Sequence, residues 1–160
     1  MVLAPFDTET KDLIAKTLKE EVKALQQLPT FEQLLRDLSG VELISWPLPY
    51  DEVLHSHAVF GEDKFPGGAK RWNLLRKRVI QHNLRVLSEH YSVMELQRVA
   101  SLLGIAEEEA EKELSELASG GVLDAKIDRP ARTVAFGKPQ TDLVVLEEWS
   151  SSLSKYVFLR

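Results

Sequence analysis

The chain has 160 residues, a formal net charge of −5 and no cysteine. This length suits one domain, or two small subdomains that share a core. Its 44% hydrophobic and 28% charged residues are typical of a folded globular protein and argue against disorder. The lack of cysteine excludes disulfides, thiol catalysis and thiolate-bound zinc, and it favours a reducing compartment. No apolar run approaches the roughly 20 residues of a membrane-spanning helix, so we expect a soluble, unexported chain.

The first third of the chain predicts short stacked helices. One helix is predicted to start at Asp7 or Thr8 and to end at Pro29, and Thr30 is predicted to cap a second one that reaches Gly40. The predicted inward face of the first helix holds Leu13, Ile14, Leu18, Val22, Leu25 and Leu28. Residues 55–68 have no sustained apolar period and predict an exposed connection.

Residues 69–91 predict one long helix, because this stretch has apolar periodicity and contains neither Pro nor Gly. Its apolar side chains occupy more than one face of the helix, which indicates packing on two sides. We therefore expect it to act as a central spine. The predicted core residues of this helix are Trp72, Leu75 and Val79.

After the spine, the pattern predicts a winged helix. A capping box is predicted at residues 92–95, followed by a helix whose buried face is Val93, Leu96, Ala100 and Leu103. A further helix places Leu114 and Leu117 inward and stops at the glycine pair 120–121. The apolar period then changes to two, which predicts a hairpin with Ile127 inward and a return strand over residues 133–136.

Charge is segregated along the chain. Residues 70–91 contain six basic residues and one acid, whereas residues 107–116 contain six glutamates and one lysine. This asymmetry favours protein contacts, and we expect the basic spine to pair with the glutamate-rich helix or with an acidic neighbour.

The string RWNLLRKRVIQHNLRV at residues 71–86 strongly resembles the start of the PCI domain in lid subunits of the 26S proteasome, of the non-ATPase regulatory subunit 12 type. The resemblance continues through residues 90–92, 100–103, 125–129 and 134–136, and through LEEW at residues 146–149. Residues 29–35 and 42–46 resemble the helical repeats that precede this domain. The resemblance as a whole implies that the chain is a C-terminal fragment of such a subunit.

The fold that follows is mainly α with a small β-hairpin or sheet: a helical-repeat segment and a winged helix. We expect a repeat segment and connecting loop at residues 1–68, the spine at 69–91, the winged helix at 92–137, and the start of a C-terminal helix at 138–160. The resemblance implies a non-catalytic scaffold of the cytoplasm and nucleus. Its partners would be other PCI subunits of the proteasome lid, with the ATPase base as an additional candidate, and it would bind no cofactor, small-molecule ligand, nucleic acid or membrane.

Two surfaces are predicted to carry the contacts. The return strand contains no charge or Pro to protect an edge, so Thr133, Val134, Ala135 and Phe136 are predicted to form an edge strand that docks on a neighbouring subunit. The resemblance implies a second contact through the C-terminal helix, at Leu146, Trp149 and Leu153.

Other functions are weaker fits to the sequence. A PCI subunit of the COP9 signalosome or of a translation initiation factor is the nearest alternative. Nucleic-acid binding through the winged helix is disfavoured, because the helix that would enter the major groove is rich in glutamate. His55 and His57 form a His-x-His pair, but the sequence supplies no third ligand at metal-site spacing. The sequence contains neither a nucleophile paired with a base nor a phosphate-binding loop, so an enzyme is disfavoured.

Overall fold

The computed structural model describes residues 3–4, 8–61 and 66–137. Seven helices and three strands lie in this part of the chain. The helices are α1 (Thr8–Glu20), α2 (Val22–Leu25), α3 (Pro29–Ser39), α4 (Asp51–Ser56), α5 (Gly68–His90), α6 (Leu96–Leu103) and α7 (Glu107–Ser119), and the strands are β1 (Val93–Glu95), β2 (Ala125–Asp128) and β3 (Thr133–Phe136). The predicted fold class is confirmed, with a three-stranded antiparallel sheet. No helix among these residues is both long and apolar enough to cross a membrane.

The N-terminal helices differ from the prediction in their boundaries. The first predicted helix is interrupted at Glu21, and Pro29 begins α3 instead of ending the helix before it. Proline suits the first turn of a helix, where its missing N–H would have no partner inside the helix. Of the predicted inward face, Ile14 and Leu25 are buried, Leu18 is partly buried, and Leu13, Val22 and Leu28 are exposed. The predicted residues therefore do not form one continuous buried stripe.

Helix α5 is the predicted spine, and it contributes to two cores. Near its start, Leu75 and Val79 are buried in a cluster with residues of α3, α4 and the segment between them. Farther along, Ile80, Leu84 and Leu87 belong to the core of the winged helix. The prediction of packing on two sides is therefore confirmed.

Trp72 lies at the margin of the upstream core and is only half-buried. Its ring contacts three other rings, with centroid distances of 5.2 Å to Trp46, 3.8 Å to His55 and 5.4 Å to Phe60. The prediction of Trp72 as a core residue is thus corrected: it closes an aromatic cluster and keeps part of its surface in solvent. The two residues of α5 predicted beside it, Leu75 and Val79, are 0% and 1% exposed.

Polar side chains in the middle of α5 hold the segment between α3 and α4. The Ile44 N–H donates to Asn83 Oδ1, and Asn83 Nδ2 donates to the Ile44 carbonyl, both at 2.8 Å. His82 Nε2 lies 3.0 Å from the carbonyl oxygen of Glu42. Asn83 and His82 are both buried, and burial lowers the pKa of His82. These bonds satisfy backbone groups that would otherwise lose their water partners on burial.

The winged helix is built from β1, α6, α7, β2 and β3 around one core. The predicted core residues Leu96, Ala100, Leu103, Leu114 and Leu117 are all buried, and Ile127 is partly buried against them. The predicted capping box is wrong, because residues 93–95 form β1 and α6 starts at Leu96 without a side-chain cap. The Leu96 N–H donates instead to the carbonyl of Arg132, just before β3. Val93, which was predicted to be buried, is 60% exposed.

We expect Asn83→Ala to destabilise the chain by at least about 2 kcal/mol, because it leaves the Ile44 N–H and C=O without their amide partner in a buried place. Asn73→Ala is the matched control, since Asn73 is an exposed residue of the same helix. Urea unfolding followed by circular dichroism measures both variants. Equal midpoints for the two would show that the Asn83 bonds contribute nothing net.

For Trp72→Ala we expect a loss of about 2 to 3 kcal/mol, below the 3 to 5 kcal/mol of a fully buried tryptophan, because the ring is only half-buried. Trp72→Phe keeps an aromatic ring at the cluster and should cost less. Thermal unfolding reports both changes. A Trp72→Ala variant with an unchanged midpoint would show that the aromatic cluster does not hold α5 to the upstream helices.

Candidate interaction surface

The sheet of the winged helix has the order β1, β3, β2, and this order corrects the predicted edge. Strand β3 pairs with β1 on one side and with β2 on the other. The predicted edge strand Thr133–Phe136 is therefore the centre of the sheet, and its backbone is not open to another chain. The reason is β1, a strand of three residues that was predicted to be the start of a helix.

The hydrogen-bond pattern shows which backbone groups the true edges present. Phe136 N–H donates to Ser92 C=O and Leu96 N–H donates to Arg132 C=O, so alternate residues of β1 face β3. In an antiparallel ladder the residues between them face the other way. The N–H and C=O of Val93 and the N–H of Glu95 therefore point outward from β1, whereas the C=O of Glu95, the N-cap residue of α6, accepts the first hydrogen bond inside that helix. On β2, where the Gly137 N–H donates to Asp124 C=O, the outward groups belong to Ala125 and Ile127 by the same alternation.

The two edges differ in how they are protected. Strand β2 and the residue before it carry three exposed charged side chains, Asp124, Lys126 and Asp128, a common protection against edge-to-edge pairing. Strand β1 carries one charge, Glu95, beside the exposed Val93. The β1 edge is thus the less protected of the two.

The outer face of the sheet is small and mixed in character. Val93 lies beside Ala135, which lies beside Lys126 on the next strand. Ala135 is exposed and Thr133 is half-buried, whereas Val134 and Phe136 point into the core. Of the residues predicted for docking on β3, Thr133 and Ala135 therefore reach the surface and the other two support it from below. The remaining predicted contacts, Leu146, Trp149 and Leu153, lie outside the described residues.

The acidic helix α7 is partly neutralised by the turn of the wing. Arg129 Nε donates to Glu111 at 2.6 Å, and Arg132 donates to Glu107 at 3.0 Å from Nε and 2.7 Å from its terminal nitrogen. Arg132 has a left-handed φ of 52°, as some turn residues do. The arginines that a nucleic-acid-binding wing would direct at phosphates are here bound to carboxylates of the same domain.

The spine neutralises the same helix from the other side, as the charge pattern predicted. Arg76 contacts Glu109 at 3.2 Å, and Lys77 Nζ contacts Glu113 at 3.3 Å and also Glu116. The hydrogen bond between Lys77 and Glu116 raises the pKa of Lys77 and lowers the pKa of Glu116. Both shifts favour the charged forms, and ion pairs join α5 to α7 beside the shared core.

Two further features of the described surface have residue types found in ligand sites. An open depression of about 560 Å³ lies on the acidic face of α7, lined by Glu108, Lys112 and Ser119 among others. His55 and His57 pack against aromatic rings, of Trp72 and Phe31 respectively. Within the described ranges no group of three or more His, Cys, Asp or Glu residues could hold a metal ion.

The β1 edge was missed by sequence reasoning. The sequence offered no alternation there, because Val93 and Met94 are both apolar, and only the structure shows that Val93 is exposed and Met94 is buried. The Ser92-x-x-Glu95 spacing favoured a helix cap instead.

Comparison with known proteins agrees with this architecture. The PCI domain family matches residues 49–138. The chain is 37% identical over 157 residues to the 26S proteasome regulatory subunit rpn501 of Schizosaccharomyces pombe, covering 96% of this chain and 35% of that protein. It is 36% identical over 160 residues to RPN5 of Saccharomyces cerevisiae, another 26S proteasome regulatory subunit, covering 97% of this chain and 35% of RPN5.

A plant relative gives a similar result. The 26S proteasome non-ATPase regulatory subunit 12 homolog A of Arabidopsis thaliana is 35% identical over 163 residues, covering 99% of this chain and 36% of the plant protein. The chain spans about a third of the length of these relatives. The family resemblance found in the sequence is confirmed. Because the match at residues 49–138 covers more than half of the chain and coincides with α4, the spine and the whole winged helix, the chain belongs to the PCI domain family.

Proposed function

We propose that this chain acts within a non-catalytic scaffold subunit of the 26S proteasome regulatory particle, in its lid. The observation that carries the proposal is the identity of 36 to 37% with the yeast subunits, which extends over nearly the whole chain. Those relatives are named as 26S proteasome regulatory subunits, and this favours the proteasome over the COP9 signalosome or a translation initiation factor. On this proposal the chain works in the cytoplasm and nucleus.

Assembly would proceed through the winged helix. The β1 edge presents outward backbone groups at Val93 and Glu95, and a strand from another PCI subunit of the lid would supply the missing hydrogen bonds. The exposed side chains of Val93, Ala135 and Thr133 would lie next to that contact. This replaces the predicted edge at β3 with β1, while Thr133 and Ala135 keep their proposed place in the surface.

A second contact is proposed through the C-terminal residues Leu146, Trp149 and Leu153. It is supported by their helical spacing and by the family resemblance of residues 146–149. Contact with the ATPase base is a further possibility within the same proposal. Nothing in the β1 geometry depends on either contact.

Introducing Val93→Pro into the full-length subunit should reduce its incorporation into the lid by about tenfold, because proline removes the outward N–H and cannot pair on that side. Val93→Ala keeps the N–H and is the matched control, with a smaller loss. Native gels and affinity purification of lid complexes measure incorporation, and circular dichroism checks the fold. Full incorporation of a folded Val93→Pro subunit would place the docking surface elsewhere.

Binding to nucleic acid is the alternative of a different class, and the ion pairs of Arg129 and Arg132 with α7 argue against it. We expect no binding of duplex DNA at micromolar protein near physiological salt. Fluorescence anisotropy of a labelled duplex over a salt series provides the measurement. Tight binding that weakens steeply with salt would favour the alternative, because phosphate contacts release counterions.

A further inference from the structure

In the segment between α3 and α4, Ile44 directs its N–H and its C=O to the same side, toward the spine, as a residue in an extended chain does. Residues 43–45 lie in no helix or strand, yet both backbone groups of Ile44 are bonded to the side-chain amide of Asn83 at 2.8 Å. The amide donates and accepts as the backbone of a neighbouring strand would. Asn83 therefore satisfies the backbone groups on one side of residues 43–45, as a neighbouring strand would in a sheet.

The other side of the segment faces away from α5. In an extended chain the backbone groups of successive residues point in opposite directions, so those of Leu43 and Ser45 point opposite to those of Ile44. Within residues 3–4, 8–61 and 66–137, the structure records no hydrogen bond to the N–H or C=O of Leu43 or Ser45. Both residues are exposed, Leu43 by 42%. The segment thus has a short, open edge of its own, and this edge ends at Ser45, 48 residues before the winged-helix sheet begins at Val93.

A cavity of about 410 Å³ lies beside this edge. It is lined by the end of α3 and by residues 40–45 and Pro49. The carboxylate of Asp37 and the exposed Glu42 contribute negative charge. The last carbonyl groups of α3 add to it, since the C-terminus of a helix carries partial negative charge.

The one basic residue among the lining side chains is Arg36, and its charge is already offset. Its guanidinium binds Glu32 Oε1 at 3.0 Å from Nε and 2.6 Å from its terminal nitrogen. The Asp37 carboxylate accepts hydrogen bonds from Tyr50 and Gln33, which are neutral groups. The cavity therefore favours a cation over an anion.

We propose that residues 43–45 dock an extended peptide from a partner protein by backbone pairing, and that the cavity takes a lysine or arginine side chain of that peptide. The open backbone groups supply the affinity for any extended chain, and the negative cavity selects the basic residue. This site is separate from the winged-helix edge and does not depend on the proposed place in the proteasome.

The test uses this chain, labelled with ¹⁵N, and the capped peptide Ac-Thr-Val-Lys-Val-Thr-NH₂. We expect the amide signals of Leu43 and Ser45 to shift on titration and their hydrogen exchange to slow, while the Ile44 amide is protected in the free chain as well. The same peptide with Glu in place of Lys should bind at least about fivefold more weakly. Equal binding of the two peptides, or no shift at residues 43–45, would overturn the proposal.

Two variants separate the charge from the backbone. Glu42→Lys reverses an exposed charge at the cavity and should weaken binding of the lysine peptide by about five- to tenfold. Glu9→Lys, an equally exposed change on α1, should leave it unaffected. Leu43→Pro removes the outward N–H and should weaken binding more than Leu43→Ala does. A Glu42→Lys chain that binds as well as Glu9→Lys would contradict the proposal, even if Leu43→Pro failed to fold.

A second copy of this chain is the competing occupant. In that case the Leu43 and Ser45 amides would gain protection as protein concentration rises, without peptide, and sedimentation would show a dimer. That result would overturn the peptide proposal, whereas a monomer with unprotected amides at these two residues supports it.

Discussion

The sharing of α5 between two cores is the constraint on which the rest of the structure depends. Leu75 and Val79 pack with the upstream helices, and Ile80, Leu84 and Leu87 pack with the winged helix. A helix of 23 residues is long enough to reach both cores without a hinge. The orientation of the winged helix relative to the upstream helices is consequently set by which faces of one helix are apolar.

Between Ile80 and Leu84, α5 carries the buried polar residues Gln81, His82 and Asn83. Asn83 and His82 bind the backbone of the segment that follows α3, and Gln81 Nε2 lies 3.4 Å from Glu113 on α7. One short stretch of the spine thus contacts both neighbours through hydrogen bonds. Such bonds are directional and constrain the relative positions of the three elements more narrowly than apolar contact alone does.

The acidic helix α7 is paired with cations from both of its neighbours, the spine and the wing. Its inner face is apolar, its flank toward the spine pairs with Arg76 and Lys77, and its flank toward the wing pairs with Arg129 and Arg132. These cations are held within the domain, so little positive potential is left on this face to attract a polyanion. Most of the pairs are partly exposed, and each contributes little to the free energy of folding. Together they determine the electrostatic potential at the surface around α7.

The order of the strands determines where another chain can bind. Placing β3 in the centre satisfies its backbone on both sides and moves the open edges to β1 and β2. The charges around β2 protect one of these edges, and the short length of β1 limits the other to the outward groups of Val93 and Glu95. An interface built there would combine few backbone bonds with side-chain contacts from the outer face.

The sequence by itself determined the elements whose signal is local. The spine, the hairpin, and the inward faces of α6 and α7 apart from Val93 follow from apolar period, and the spine and the hairpin were predicted near their observed bounds. The string at residues 71–86 also identified the family.

Only the tertiary structure decided the features that join distant residues. Residues 92–95 could cap a helix or form a strand, and the carbonyl of Arg132 and the strand β3 settled the choice. Asn83 could have been a surface residue, and its position opposite Ile44, 39 residues away, made it a buried clamp. The pairing of β1 with β3 also places β3 in the centre of the sheet and leaves β1 and β2 as its edges. The physical reason is that a backbone hydrogen bond is as favourable with one extended partner as with another, so the choice of partner depends on which segments the packed core brings together.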